Sequence, residues 1–189
     1  RFEWAKLLEP LCSFIDGKDF TTLPKSEFLN EMINTYQTFK EQDYIQNELI
    51  VLYNSTGQYQ LSCSLFNKDE NMEERHYIDY SQLSLAYFKQ GDIEFSVYLL
   101  KKYFSNSKNH FFEVYVDSII NDKNMIIFLE LFLLKICGFI YEALKKSDEL
   151  YPDWKENPKF LGLLCGLYTD LGEYDLAFRY AIEALEVGE

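Results

Sequence analysis

Proline, glycine, histidine and basic side chains are all scarce in this chain of 189 residues, which has 4 Pro, 8 Gly, 2 His, and 18 Lys and Arg against 31 Asp and Glu. Each shortage excludes something. Pro and Gly both fall below ordinary usage, which leaves too few turn residues for a many-stranded sandwich or barrel and favours a helical chain. The formal charge of −13 sets up a field that repels phosphate backbones and anionic headgroups, so neither nucleic acid nor a membrane surface is an expected partner. Cys12, Cys63, Cys137 and Cys165 stand far apart, with neither His76 nor His110 at ligand spacing from them. That pattern predicts buried thiols in a reducing compartment and no metal site. Gly17-Lys18 runs into Asp19 without a second Gly at the right offset, and no G-x-S-x-G elbow occurs. No cofactor and no enzymatic activity are expected.

What the chain has in abundance is apolar and aromatic surface, 48% and 17% of its residues, enough to bury a core. The most membrane-like stretch, Met125 to Cys137, is interrupted by Glu130 and Lys135 before it reaches the ~18 to 20 residues of a span. It is expected to be a buried helix lying mid-array. No basic start with an apolar run and a small-residue cleavage site is present, and the first residue is Arg1. These features suggest a processed form or an excised fragment, located in the cytoplasm or nucleus. Asn54-Ser55-Thr56 satisfies the glycosylation triplet and is read as a chance match.

A repeat emerges from the glycines. Gly57 and Gly91 are 34 residues apart, and so are Gly138 and Gly172, while the middle interval is 47. Other columns agree when positions are counted from each glycine. Tyr53, Tyr87, Leu134 and Tyr168 stand four before it, and Tyr59, Ile93, Ile140 and Tyr174 stand two after it. Ser62, Ser96, Ala143 and Ala177, five after it, are all small, as two antiparallel helices require where their backbones cross most closely. Leu49, Leu83, Glu130 and Leu164 stand eight before it, and only Glu130 breaks the column. The spacing predicts helical hairpins turning at the glycines, stacked so that each buries its neighbour's open face.

This pattern resembles the tetratricopeptide repeat family, most closely in the last unit. There Leu161, Leu164, Cys165, Tyr168, Gly172, Tyr174, Ala177, Ala181 and Ala184 fall on the family's signature columns. Ile50, Ser84, Leu131 and Cys165 follow the first-helix column where that family prefers a small residue, so packing in the first and third units is expected to be looser or shifted. The resemblance implies an all-α fold, an α-solenoid of about four TPR-like hairpins over residues 43–189, preceded by an atypical helical pair over residues 1–42. Helical stripes at Leu7, Leu8, Leu11, Phe14 and Ile15, and at Phe28, Leu29, Met32, Ile33, Tyr36 and Phe39, mark that pair. Asn71 and Glu74 resemble a capping box, and an added short helix is expected near 105–123.

In that arrangement first-helix positions line an inner groove. The expected partner-binding residues are Tyr44, Asn47, Val51 and Asn54 from the first unit, and Ile78, Ser81, Leu85, Phe88 and Lys89 from the second. Phe128, Phe132 and Lys135 follow from the third, and Thr169 and Asp170 from the fourth. Val51, Leu85, Phe132 and Gly166 stand where a carboxylate clamp would continue, so the expected partner is a protein or peptide held by apolar and aromatic contacts. Leu85-Ala-Tyr-Phe88, the turn at Gly91, Asn106-Ser-Lys108 and Phe111-Phe-Glu-Val-Tyr115 look like the N-terminal repeats of tetratricopeptide subunits of the anaphase-promoting complex. That likeness implies a homodimerising, non-catalytic scaffold in a ubiquitin-ligase assembly. The alternative is a peptide-sensing regulator or secretion chaperone that receives a short segment in the groove.

Overall fold

The computed structural model describes residues 25–38, 43–66, 79–107 and 126–188. The expected first helix, the Asn71–Glu74 capping box, the added helix after residue 107, Tyr44's side chain and Ile78 lie outside them. All nine elements among the described residues are α-helices: α1 (Lys25–Gln37), α2 (Asp43–Ser55), α3 (Tyr59–Ser64), α4 (Tyr80–Lys89), α5 (Ile93–Ser107), α6 (Ile126–Ile136), α7 (Ile140–Trp154), α8 (Pro158–Asp170) and α9 (Tyr174–Gly188). The chain falls into two compact units, Arg1–Leu100 and Lys101–Glu189.

Four helical hairpins turn at the four glycines picked out by spacing, with φ of 74° at Gly57, 84° at Gly91, 80° at Gly138 and 78° at Gly172. Each turn closes with the same two backbone bonds. The residue after the glycine donates to the carbonyl four before it: Gln58 to Tyr53 (2.7 Å), Asp92 to Tyr87 (3.0 Å), Phe139 to Leu134 (2.9 Å) and Glu173 to Tyr168 (2.9 Å). The glycine N–H donates to the carbonyl three before it, on Asn54, Phe88, Lys135 or Thr169. This is the Schellman closure, which needs a left-handed residue at its centre, and glycine adopts that conformation without a Cβ penalty.

The small column sits where the helices cross. Ser62, Ser96 and Ala143 are fully buried and Ala177 nearly so. In the second hairpin Ser84 and Ser96 exchange hydroxyl-to-carbonyl bonds of 2.7 and 2.8 Å, and their hydroxyl oxygens stand 2.9 Å apart. In the first, the Ser62 hydroxyl reaches the Ile50 carbonyl at 3.3 Å. Glu130, which broke the leucine column, is partly covered and lies 3.8 Å from Lys146 of α7.

In the first unit, Ile33, Tyr36, Ile45, Leu49, Leu52 and Tyr53 form a core cluster joining α1 and α2. Asp79 caps α4 by accepting from the N–H groups of Ser81 and Gln82. Tyr87 packs edge-on against Phe95 at 4.7 Å. Burial, with added repulsion from Cys63 and Asp92, pushes its phenol up to about 12. The folded chain therefore holds this phenol neutral, whereas the unfolded phenol ionises near its ordinary value of 10. Its stabilising contribution is full below about pH 10 and is lost as pH rises through about 12. Tyr87→Phe is expected to flatten the fall of the urea midpoint between pH 10 and 12, and parallel curves for the two proteins would contradict this assignment.

In the second unit, α6 is apolar nearly all round, and Phe128, Leu129, Leu131, Phe132, Leu133 and Leu134 are buried. Its 11 residues span about 16 Å, half of a bilayer's hydrocarbon. No described helix is long and apolar enough to cross a membrane. Asn157 caps α8 with Pro158 in the first turn, and Phe160 is buried against Phe128 at 5.7 Å and Tyr151 at 6.3 Å. Tyr168 stacks on Tyr180 at 5.4 Å, tying α8 to α9.

Candidate protein-interaction surfaces

The structure divides the expected groove residues into two groups. Leu85 and Phe128 are fully buried and Phe132 is 2% exposed, so these three are core side chains rather than groove lining. Phe128 is drawn inward by Trp154, whose ring meets it edge-on at 4.7 Å, and by Phe160. Phe132 turns toward Phe104, with centroids 5.9 Å apart. Asn54 and Ser81 are also buried, at 3% and 2%, and both are committed to internal bonds. Asn54 donates to the carbonyl and side-chain oxygen of Gln82 at 2.8 and 3.0 Å and accepts from Ser62 at 2.8 Å, joining α2, α3 and α4. Its amide nitrogen is closed to glycosyl transfer in the folded chain. The Ser81 hydroxyl bonds the Asp79 cap.

Asn47 is half-buried and accepts the Asp79 N–H at 2.8 Å, which fixes the start of α4 on α2. The accessible remainder in the first unit is Val51, Phe88 and Lys89, each half-buried. The Lys89 ammonium stands 5.9 Å from the centroid of the Tyr59 ring, a cation–π contact at the outer limit of effective range.

In the second unit Lys135 and Asp170 do come together. Lys135 pairs with Asp170 at 2.7 Å, joining α6 to α8. Its stem crosses α8 at Gly166, where a Cβ would lie 2.8 Å from Lys135 Cε. Thr169 is exposed and its hydroxyl donates to the Cys165 carbonyl at 2.8 Å. With Gly162 open to solvent, α8 presents bare backbone beside the Lys135–Asp170 ion pair.

Chemistry is sparse across these surfaces. Among the described residues no group of three His, Cys, Asp or Glu could hold a metal ion. An open cleft of about 410 Å³ is lined by Gln37, Leu49, Tyr53, Ser64 and Leu65. Its polar content includes the 2.7 Å bond from the Gln37 amide to the Tyr53 hydroxyl, and among the described residues no carboxylate, imidazole or ammonium lines it. Among the described residues neither a nucleophile with an adjacent base nor an anion cradle is assembled there.

The feature that sequence reasoning missed is on α9. Tyr174, Phe178 and Leu185 are 70%, 69% and 68% exposed, with Ile182 at 39%. Their spacing, i, i+4, i+8 and i+11, is itself a helical stripe, and was obscured because Ala177, Ala181 and Ala184 carried the repeat signature on the same helix.

No protein-family model matches the chain, and neither a search of curated proteins nor one of solved structures finds a match.

Proposed function

We propose that this chain is a non-catalytic protein-interaction scaffold, an α-solenoid of TPR-like hairpins in which accessible first-helix side chains receive a protein or peptide. The observation that supports it most is the recurrence of one closure, a left-handed glycine with the same pair of backbone bonds, at four turns whose flanking columns are in register. Such units cannot bury both faces alone, so stacking and surface presentation follow from the same geometry. The narrower resemblance to anaphase-promoting-complex subunits adds a homodimer and membership of a multiprotein assembly to this reading.

Phe88 is the groove residue best suited to an anchor, being half-buried at the end of α4 beside Lys89. Affinity capture from a cell extract, with wild-type and Phe88→Ala chains as paired baits, tests this. The variant is expected to retain its thermal midpoint while losing at least about fivefold in recovery of the specifically bound protein, the ~1 kcal/mol of a modest hot spot. Equal loss of stability would assign Phe88 to the core, and the absence of any specifically bound protein would count against the scaffold. Light scattering on dilution reads the dimer separately: a homodimer holds twice the chain mass without ligand, whereas a peptide sensor shifts its melting temperature only with added peptide.

A further inference from the structure

Hairpins built on one closure and one register face a problem of order. Their first helices present similar apolar faces, so a hairpin can receive the wrong neighbour, from its own copy or from another, and such misassembly is a characteristic failure of repeat folds. Each unit contains a junction between first helices, α2 with α4 in the first and α6 with α8 in the second. At both junctions the residue three before the turn glycine reaches across to the next first helix, and the two differ there in kind.

In the first unit that residue is Asn54, 3% exposed. Its amide nitrogen donates to the carbonyl and to the side-chain oxygen of Gln82 at 2.8 and 3.0 Å. Gln82 stands nine before its own turn glycine, and the residue at that offset on α8 is Leu163, which is buried. Set against α8, Asn54 would find a carbonyl but no side-chain acceptor, and one buried amide hydrogen would be left without a partner.

In the second unit the residue is Lys135. Its stem crosses Gly166, six before the turn glycine, where even a Cβ would lie 2.8 Å from Lys135 Cε, and its ammonium meets Asp170, two before the glycine, at 2.7 Å. On α4 those two offsets carry Leu85 and Lys89. Set against α4, Lys135 would run into a leucine side chain and bring its charge toward a second ammonium.

We infer that these side chains form a neighbour-selecting device: Asn54 with Gln82 makes α4 the helix that α2 accepts, and Lys135 with Gly166 and Asp170 makes α8 the helix that α6 accepts. Selection comes from the penalties at the wrong junctions as much as from the bonds at the right ones. An apolar pair of similar volume would hold either junction as firmly without telling one neighbour from another. A partly exposed ion pair adds little stability, so the fit of the lysine stem over Gly166 is the stronger half of the second selector. The device acts on assembly of the array and stands independently of any partner the array binds.

The test uses the full chain. Asn54→Leu/Gln82→Leu/Lys135→Ala/Asp170→Ala removes both selectors and leaves the junctions apolar, while Ser84→Ala/Ser96→Ala removes a buried polar pair that lies within one hairpin. Wild type and both variants are unfolded in urea and refolded; amide NMR spectra count the folded forms and light scattering reads the mass. Wild type and the serine variant are each expected to give one set of resonances. The fourfold variant is expected to melt within about 5 °C of wild type. It is expected to divide all the same, with at least about a fifth of the chain in a second set of resonances or in oligomers, as a narrowed gap between arrangements requires. One set of resonances from the fourfold variant, or a second set from the serine variant, overturns the inference. If the fourfold variant does not fold, the partly exposed pair decides alone: Lys135→Ala/Asp170→Ala is expected to show a second form, and a single form overturns the inference.

Discussion

Phe160→Ala is expected to destabilise the second unit by about 3–5 kcal/mol, the range for truncating a buried aromatic. The side chain is fully buried, and its ring stands 5.7 Å from Phe128 and 6.3 Å from Tyr151. Phe128 in turn meets Trp154 at 4.7 Å. Truncation opens a void where α6, α7 and α8 meet, and the rings of Phe128 and Tyr151 lose contacts that no small shift restores. Urea unfolding of wild type and variant measures the loss. A value below about 1 kcal/mol would mean that α8 does not hold the unit together through this ring. Tyr141→Ala, at a site 77% exposed, serves as the control and is expected to stay within about 0.5 kcal/mol of wild type.

The second large effect is a reversal of sign among glycines. Gly172→Ala is expected to cost about 1–2 kcal/mol, the penalty of holding an L-residue in the left-handed region, since φ there is +78° and an added Cβ meets nothing within 4 Å. The same change at Gly162, also with open space but within helix α8, is expected to stabilise by up to about 1 kcal/mol, because alanine loses less backbone entropy. At Gly166 the new methyl would lie 2.8 Å from Lys135 Cε. The lysine stem must then move, weakening its 2.7 Å pair with Asp170. Thermal melts of the three variants should therefore fall on both sides of wild type. Stabilisation by Gly172→Ala would contradict the left-handed closure.

The hairpins were legible because two kinds of position admit few residues. The turn centre requires glycine, and the helix crossing requires a small side chain, so Gly57, Gly91, Gly138 and Gly172, with Ser62, Ser96, Ala143 and Ala177, register the units from sequence alone. Faces were less legible. Val51, Leu85, Phe132 and Gly166 share one offset from their glycines, yet Leu85 and Phe132 are buried while Val51 and Gly166 are not. An offset fixes the angle around the helix but not which neighbour covers it. At Phe132 the cover is Phe104, far away in sequence. Asn54 and Asn47 read as groove-lining amides because nothing in the sequence announces Gln82 or the Asp79 N–H as their partners.

The recurrence of one hairpin geometry at one register is the claim on which the scaffold reading depends, and a single substitution tests it. The positions seven before and five after the turn glycine meet in the second hairpin, where the Ser84 and Ser96 hydroxyl oxygens are 2.9 Å apart. Their counterparts in the fourth hairpin are Cys165 and Ala177. Ala177→Cys under mild oxidation is expected to form a disulfide with Cys165, since small side chains so placed lie within bridging distance. Peptide mapping by mass spectrometry reads the linkage. Quantitative pairing with Cys165 is the predicted result; a thiol left free, or joined instead to Cys137, would contradict the shared register.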